Sequence, residues 1–490
     1  MGVCIHWFRR DLRLTDNTAL NLAAKNASQI VPIYILSEWR ASHHWTGYPR
    51  QAFLCGCVAS LDANLRSKGG RLIIRSGSAV KVLETLARES GADAIYFNRD
   101  PDPFGRAMEK AVEEMATRVG IKIVACQDHA LHERDAVLTG EGKPYRIFTP
   151  YAKAWSRLEK AAPCRAIREI STPKAVHSEP LPTPERWGLS GAAEILPPGE
   201  AAARKRMHAF LDQPIFRYAE TRDPPAEHGT SRLSQDLRHG TLSIRELYAK
   251  CQEAGRTAKR TAEKQSVAAY INELIWREFY FQVLWHWPEV LDHEFQPESR
   301  RLAWRANWRP EHTMAWKREP MALEHFERWC AGQTGFPIVD AGMRQLLATG
   351  FMHNRVRMIV AMFLTKDLHL WWMHGESWFM RHLVDGEIAS NSGGWQWSAS
   401  TGTDAAPYFR IQNPWSQTKR YDPTGAYIKR WVPELRDVTP SRLSQPPTAG
   451  ESHAANYPAP MVDHAQAREK TLRLFEVAKS GTATRDTFFS

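Results

Sequence analysis

VCIHWFRRDLRLTDNTALNLAAKNASQIVPIYIL, residues 3–36, contains a strand, a polar turn, a helix and a second strand. Residues 3–8 and 29–36 are short apolar runs rich in β-branched and aromatic side chains, which suits strands buried on both faces. Thr18–Ala27 between them has helical spacing, with Thr15 or Asp16 as the expected N-cap. The alternation continues downstream. Arg50–Leu65 places Phe53, Leu54, Cys57, Val58, Leu61 and Leu65 at helical intervals, and Gly69-Gly70 ends it. RLIIR (71–75) is a third strand, Ser78 caps a helix through Leu86, and Asp93–Asn98 is a fourth strand. Gly105–Val119 is a helix and Ile121–Cys126 a fifth strand. Single helices between successive strands specify a doubly wound, mostly parallel, Rossmann-like sheet. No G-x-G-x-x-G follows the first strand, which excludes an ordinary nicotinamide dinucleotide site.

Farther along, the pattern changes twice. Residues 163–200 are rich in proline, with Ser, Thr and Gly and weak periodicity, and read as an interdomain linker. From Ala201 to about Leu435 strand signals vanish. Ser266–Leu284, Ile338–Thr349, His353–Leu370 and Glu376–Val384 have 3.6-residue periodicity, and Ala465–Val477 adds a late helix. The expected organisation is an α/β domain over 1–132, a linker over 133–200 and an all-α domain over 201–478.

The 490 residues, 43% hydrophobic and 24% charged, suit an ordinary globular protein of two or three domains. No run of about 18 apolar residues predicts a membrane span, and the first residues lack the apolar region of a signal peptide. Seven cysteines are few and odd in number, against a disulfide framework. The expectation is a reduced, cytoplasmic protein. Lys+Arg exceed Asp+Glu by 11, which leans mildly toward a polyanionic partner. Nineteen tryptophans suit stacking on planar ligands or electron transfer, although most must be packing. No HExxH, paired CxxC or nucleophile elbow is present, and no metal site is expected.

DGEIASNSGGWQWSASTGTDAAPYFRIQNPWSQTKRYDP (385–423) stands out in the helical half. Its polar groups would be costly in a core, so it is expected to line a site. Read with GTSRLSQDLRHGTLS (229–243), NELIWREFY (272–280), the 334–364 segment and the opening WFRRDLRLTDNTAL (7–20), it resembles the photolyase/cryptochrome family. The resemblance spans residues 1 to about 435 and is closest to members that repair cyclobutane pyrimidine dimers. It implies an antenna domain followed by a helical FAD domain, with light-excited reduced FAD passing one electron to a dimer flipped out of DNA. A blue-light sensor of the cryptochrome type, without repair, is the alternative.

The motifs can be read chemically beside that resemblance. Thr230, Ser231, Arg232, Leu233 and Ser234 offer hydroxyls, backbone N–H groups and a cation, a set that suits phosphates. The resemblance implies that they bind FAD, with Tyr218, Glu273, Arg277, Gly386 and Glu387 nearby. Glu273, Trp276 and Arg277 share one helix face, as do Asn354, Arg357 and Met358. An amide, a guanidinium and a thioether make a mixed wall between a polar cofactor and a flat apolar substrate. By resemblance Glu273, Trp276, Asn354, Met358 and Trp397 contact the lesion, Arg357 pairs with Asp385 beside the isoalloxazine, and Asn391 faces N5. Trp395 and Trp397, about 200° apart on a helix, face opposite ways.

The resemblance also gives an electron chain, Trp395, Trp372 and Trp316. The Trp316–Trp329 spacing is about three residues longer than usual in the family, so another indole remains open as the exit. Phe104 and Gly105 stand where folate-binding members have an amide and a carboxylate. A second, antenna chromophore is therefore expected to be a deazaflavin or flavin rather than a folate, with an empty cleft as the alternative. The expected partner is damaged DNA and the expected state a monomer. Met358 cannot donate a proton, and His353 lies about 100° off its helix face, so cyclobutane dimers are the expected lesion and (6-4) products are not.

Overall fold

The computed structural model describes residues 2–480. Val3–Phe8 (β1), Gln29–Leu36 (β2), Ile73–Ser76 (β3), Ala92–Asn98 (β4) and Lys122–Cys126 (β5) form a wholly parallel sheet in the order β3-β2-β1-β4-β5. Thr18–Asn26 (α1), Tyr48–Arg66 (α2), Ala79–Ser90 (α3) and Pro103–Val119 (α4) are its crossovers. Apolar clusters cover both faces, as the continuous hydrophobic strands require.

Two expected caps differ. Asn17, not Thr15 or Asp16, caps α1 by accepting from the Leu20 N–H at 3.1 Å. Asp16 is at positive φ and turns its carboxylate to Arg245. Ser78 holds the N-cap place of α3 without a side-chain cap bond, and α3 runs to Ser90 because left-handed Gly91 ends it.

The chain order reverses between β1 and β4, where doubly wound sheets usually bind ligands. Here that crevice is filled by charge. Arg10 donates to Asp100 at 2.9 Å and to Glu387 of the helical half at 3.0 Å.

Residues 133–200 do not hang free. Helix Phe148–Arg157 buries Tyr151 and Trp155 in the helical core. Residues 163–199 run along the sheet edge: Ile30 N–H donates to Ser171 O, Glu179 N–H to Ile74 O, and Ile170, Val176 and Trp187 are buried. Such a cover removes the pairing hazard of the short β3 edge.

Among the described residues, no strand lies beyond β5, apart from isolated bridges. The helices that build the helical half's site are Thr261–His286, Asn354–Met362, Trp372–His382 and Ile388–Ala399. The helix expected over 353–370 stops at Met362 and continues as a π turn, Phe363–Asp367, which turns Lys366 inward to donate to Ser400 Oγ at 2.7 Å. The halves are joined by a buried cluster in which Arg245 pairs with Asp16 and Asp128, and Arg13 also pairs with Asp128. Burial alone would raise the Asp128 carboxyl; the two arginines hold it below its ordinary value.

All seven cysteines are free thiols. Among the described residues no helix is long and apolar enough to cross a membrane, and no group of three or more His, Cys, Asp or Glu is placed to hold a metal ion.

Candidate functional site

The 229–234 loop is set by Gly229, where any Cβ would overlap the backbone of Thr221. Arg232 follows at φ +53°, and its guanidinium lies 3.6 Å from the Phe351 ring centre. Leu233 is buried, Ser231 Oγ accepts from Tyr270 OH at 2.9 Å, and Tyr270 packs edge-on against buried Tyr218. Thr230 is half-buried, and Ser234 is exposed at the start of a short helix.

Arg357 also reaches Phe351 and donates to both Asp385 oxygens, at 3.0 and 3.2 Å. The 229–234 loop, the 354–362 helix and the 385 turn therefore meet at one place. Cations exceed carboxylates there. Burial pulls the Arg232 guanidinium down to about 10, with Asp385 resisting. Arg232 Nε and Gln235 Oε1 are buried without a hydrogen-bond partner among the described residues. The unpaired Arg232 Nε–H beside excess positive charge fits an anionic ligand.

His353 caps the 354–362 helix, its Nδ1 accepting from the Arg355 N–H. The ring is buried, and burial pushes its pKa down to about 4. Asn354 is exposed and Arg357 and Met358 half-buried, while Val356, Ile359 and Val360 face the core. The open face is thus the one the i, i+3, i+4 spacing predicted. Across from it, Glu273 accepts from Arg222 at 2.8 Å, and the adjacent Asp223 accepts from Arg355 at 2.7 Å. The 222–223 segment ties the two polar helix faces together. Trp276 is stacked flat on Phe148, whose N–H donates to Asp404 Oδ2.

Ile388–Ala399 carries Trp395 and Trp397. Trp395 is buried against Phe379 and Trp329, and Trp397 is partly exposed. The two indoles do face different ways. Asn391 Nδ2 donates to Glu376, whose carboxyl burial pushes up to about 7. Trp372 neighbours Trp371, and Trp316 neighbours Trp308, His374 and Phe326.

Much of 385–423 is buried. Ser392, Gln396, Ser398, Ser400, Thr401 and Thr403 are buried, and internal bonds such as Gln396 to Val290 O (2.8 Å) and to the Phe295 N–H (2.8 Å) satisfy several of them. Glu387 caps its helix by accepting from Ser390 N–H and also receives Arg10. Arg277 donates to His129 and Leu237 O. Both reach across the interdomain seam. Gly386 is packed so closely on Arg50 that a side chain would displace it.

Sequence reasoning missed Arg222, Asp223, Phe148 and Glu376, single residues in unremarkable local patterns. Only their long-range partners mark them.

Such a fold and such a site define a two-part chain whose helical half carries a cationic cradle suited to an anionic ligand. Two family profiles match it: DNA photolyase over residues 4–173, and the FAD binding domain of DNA photolyase over 270–477. A Synechococcus protein named deoxyribodipyrimidine photo-lyase is 37% identical over 98% of this chain and 97% of its own length. A bacterial class III photolyase from Agrobacterium tumefaciens has a TM-score of 0.88 at 34% identity, over 98% of each chain. An archaeal photolyase from Sulfolobus tokodaii with two FAD molecules has a TM-score of 0.82 at 30% identity, over 97% of this chain and 99% of that one. The chain belongs to the photolyase/cryptochrome family, with an α/β domain and a helical FAD-binding domain. The unpaired Arg232 Nε–H, with the cations around it, fits the anionic diphosphate of FAD.

Proposed function

We propose that this chain is a light-driven lyase that splits cyclobutane pyrimidine dimers in DNA. The observation that carries the reading is the open face Asn354–Arg357–Met358, with Arg357 clamped on Asp385 and the Glu273–Trp276 face opposite. The near-full-length identity to a named deoxyribodipyrimidine photo-lyase supports it.

Arg232 and the 230–234 loop would hold the diphosphate of FAD, and the Arg357–Asp385 pair would hold its ring system. Bound FAD supplies the one-electron light chemistry. Glu273 and Asn354 hydrogen-bond the pyrimidines and stabilise their added charge, while Trp276, Met358 and Trp397 form the apolar walls. A dimer stacks poorly in the duplex and so costs less to flip out. Phosphate contacts from the net positive surface hold the DNA. Trp395, Trp372 and Trp316 form the path that delivers electrons to the flavin.

The α/β domain takes a second, planar chromophore. Its support is the exposed aromatic group of Trp39, stacked on His43 at 4.1 Å, with Phe104 edge-on at 5.7 Å. A flavin or deazaflavin, not a folate, is the assigned occupant; mass spectrometry finding stoichiometric methenyltetrahydrofolate would overturn that. The protein acts as a cytoplasmic monomer. The deciding experiment is anaerobic blue-light repair of a dimer-containing oligonucleotide with the flavin chemically reduced. Restored pyrimidines are expected; DNA left unrepaired would favour a light sensor.

A further inference from the structure

Glu294 lies outside every motif in the sequence. It is buried, and its Oε1 accepts three indole N–H groups: Trp371 at 2.9 Å, Trp304 at 3.0 Å and Trp372 at 3.1 Å. Among the described residues no cation pairs with this carboxylate within 4.0 Å. A buried acidic group is ordinarily matched by an arginine, a lysine or several backbone donors. Here three tryptophans do that work, and their convergence on one oxygen is not needed for packing, since any apolar side chain would fill the space.

The cluster includes Trp372, the middle indole of the path proposed above. Trp372 begins the 372–382 helix, and one turn later Gly375 lets the Trp395 ring lie against that helix; a methyl at 375 would overlap it. Trp371 and Trp372 have ring centres 6.4 Å apart. An indole that loses an electron becomes a strong N–H acid, and the same atom already points at a carboxylate.

We propose that Glu294 is the proton acceptor and positioning residue for a radical held on the Trp371–Trp372–Trp304 cluster. This rests on the Trp395–Trp372 chain proposed above. With FAD bound and oxidised, light would draw one electron from Trp395, and Trp372 would return one to Trp395. The Trp372 N–H proton then passes to Glu294, leaving a neutral tryptophanyl radical and a protonated carboxyl. An added thiol later supplies the missing electron, and the proton returns to the indole nitrogen. Loss of the proton makes the charge separation slow to reverse.

The test uses flavin-loaded protein in the oxidised state and a blue flash, read by transient absorption, electron paramagnetic resonance and infrared difference spectroscopy. Wild type is expected to give a neutral tryptophan radical and a new protonated-carboxyl band. The radical should form more slowly in D2O and independently of buffer concentration. Glu294→Gln keeps an oxygen acceptor for the indoles but cannot take the proton. It should lose the carboxyl band, retain a cationic radical and recombine about tenfold faster or more. The wild-type infrared and buffer measurements decide the matter even if Glu294→Gln folds poorly. A radical that stays cationic, or deprotonates at a buffer-dependent rate with no carboxyl band, overturns the role of Glu294 and leaves the chain intact. Absence of any tryptophan radical in wild type overturns both.

Discussion

Trp276 lies flat on Phe148, with ring centres 3.6 Å apart and planes within 4°. One face of the indole assigned to the lesion is therefore already occupied, by a residue from the segment between the two domains. The stack fixes the plane on which a flipped base can rest. Phe148→Leu keeps most of the buried volume and loses the ring. It is expected to weaken binding of dimer-containing DNA about fivefold, near 1 kcal/mol, with flavin content unchanged. Titration with a single-lesion oligonucleotide checks this; unchanged affinity would mean that the stack does not support the substrate.

Gly375 is the point at which Trp395 touches the neighbouring helix. Gly375→Ala should push the indole aside and slow photoreduction of oxidised flavin by at least about tenfold, since transfer needs short gaps and fixed orientation. Trp395→Phe should block it, while repair by chemically reduced enzyme persists in both. Photoreduction at the wild-type rate in Trp395→Phe would show that electrons enter elsewhere.

His353 is buried, caps a helix through Nδ1 and has its pKa pushed down to about 4, so at neutral pH it is not the imidazolium that could serve as an acid. Met358, on the open face, has no proton to give. Repair of cyclobutane dimers and none of (6-4) products is expected when each lesion is offered separately with reduced flavin. The ratio should not change between pH 8 and pH 5.5. Efficient (6-4) repair would mean that the roles on this face are assigned wrongly.

Burial raises the Glu376 carboxyl to about 7, against hydrogen bonds from Asn391 and Trp45. Its folded pKa lies above the unfolded value of 4.5. The stability it contributes is complete below pH 4.5 and is lost as pH rises through about 7. Glu376→Gln mimics the protonated form, so its melting temperature relative to wild type should climb from pH 5 to pH 8. A difference independent of pH would show that Glu376 does not titrate in this window.

Arg245 joins the two halves by pairing with buried Asp16 and Asp128. Arg245→Ala leaves Asp16 without its arginine partner and Asp128 with Arg13 alone. A loss of about 3–5 kcal/mol is expected from removing one partner of a buried ion cluster. Denaturant unfolding measures it; a loss below about 1 kcal/mol would show that water enters the seam and replaces the arginine.

The α/β half was legible in the sequence because each strand and helix declares itself within ten to twenty residues. Apolar runs such as 29–36 can be little else, and α1 to α4 keep helical spacing between them. The polar faces Glu273–Trp276 and Asn354–Met358 were legible for the same reason, since i, i+3, i+4 spacing fixes a face before any folding. The chemical pattern of the 385–423 segment set it apart but did not show that much of it is buried. A sequence shows that Gln396 and Ser400 are polar, not that Val290 and Lys366 satisfy them.

Tertiary structure decided whatever depends on partners far apart in the chain. Arg277 and Glu387 have the side chains of ligand-binding residues, and docking of the two halves gives them His129 and Arg10 as partners, which the sequence does not show. Glu294 is one acidic residue in an irregular stretch, and no local pattern marks it. Only the fold brings Trp304, Trp371 and Trp372 to one of its oxygens, because a hydrogen bond depends on distance in space and not along the chain.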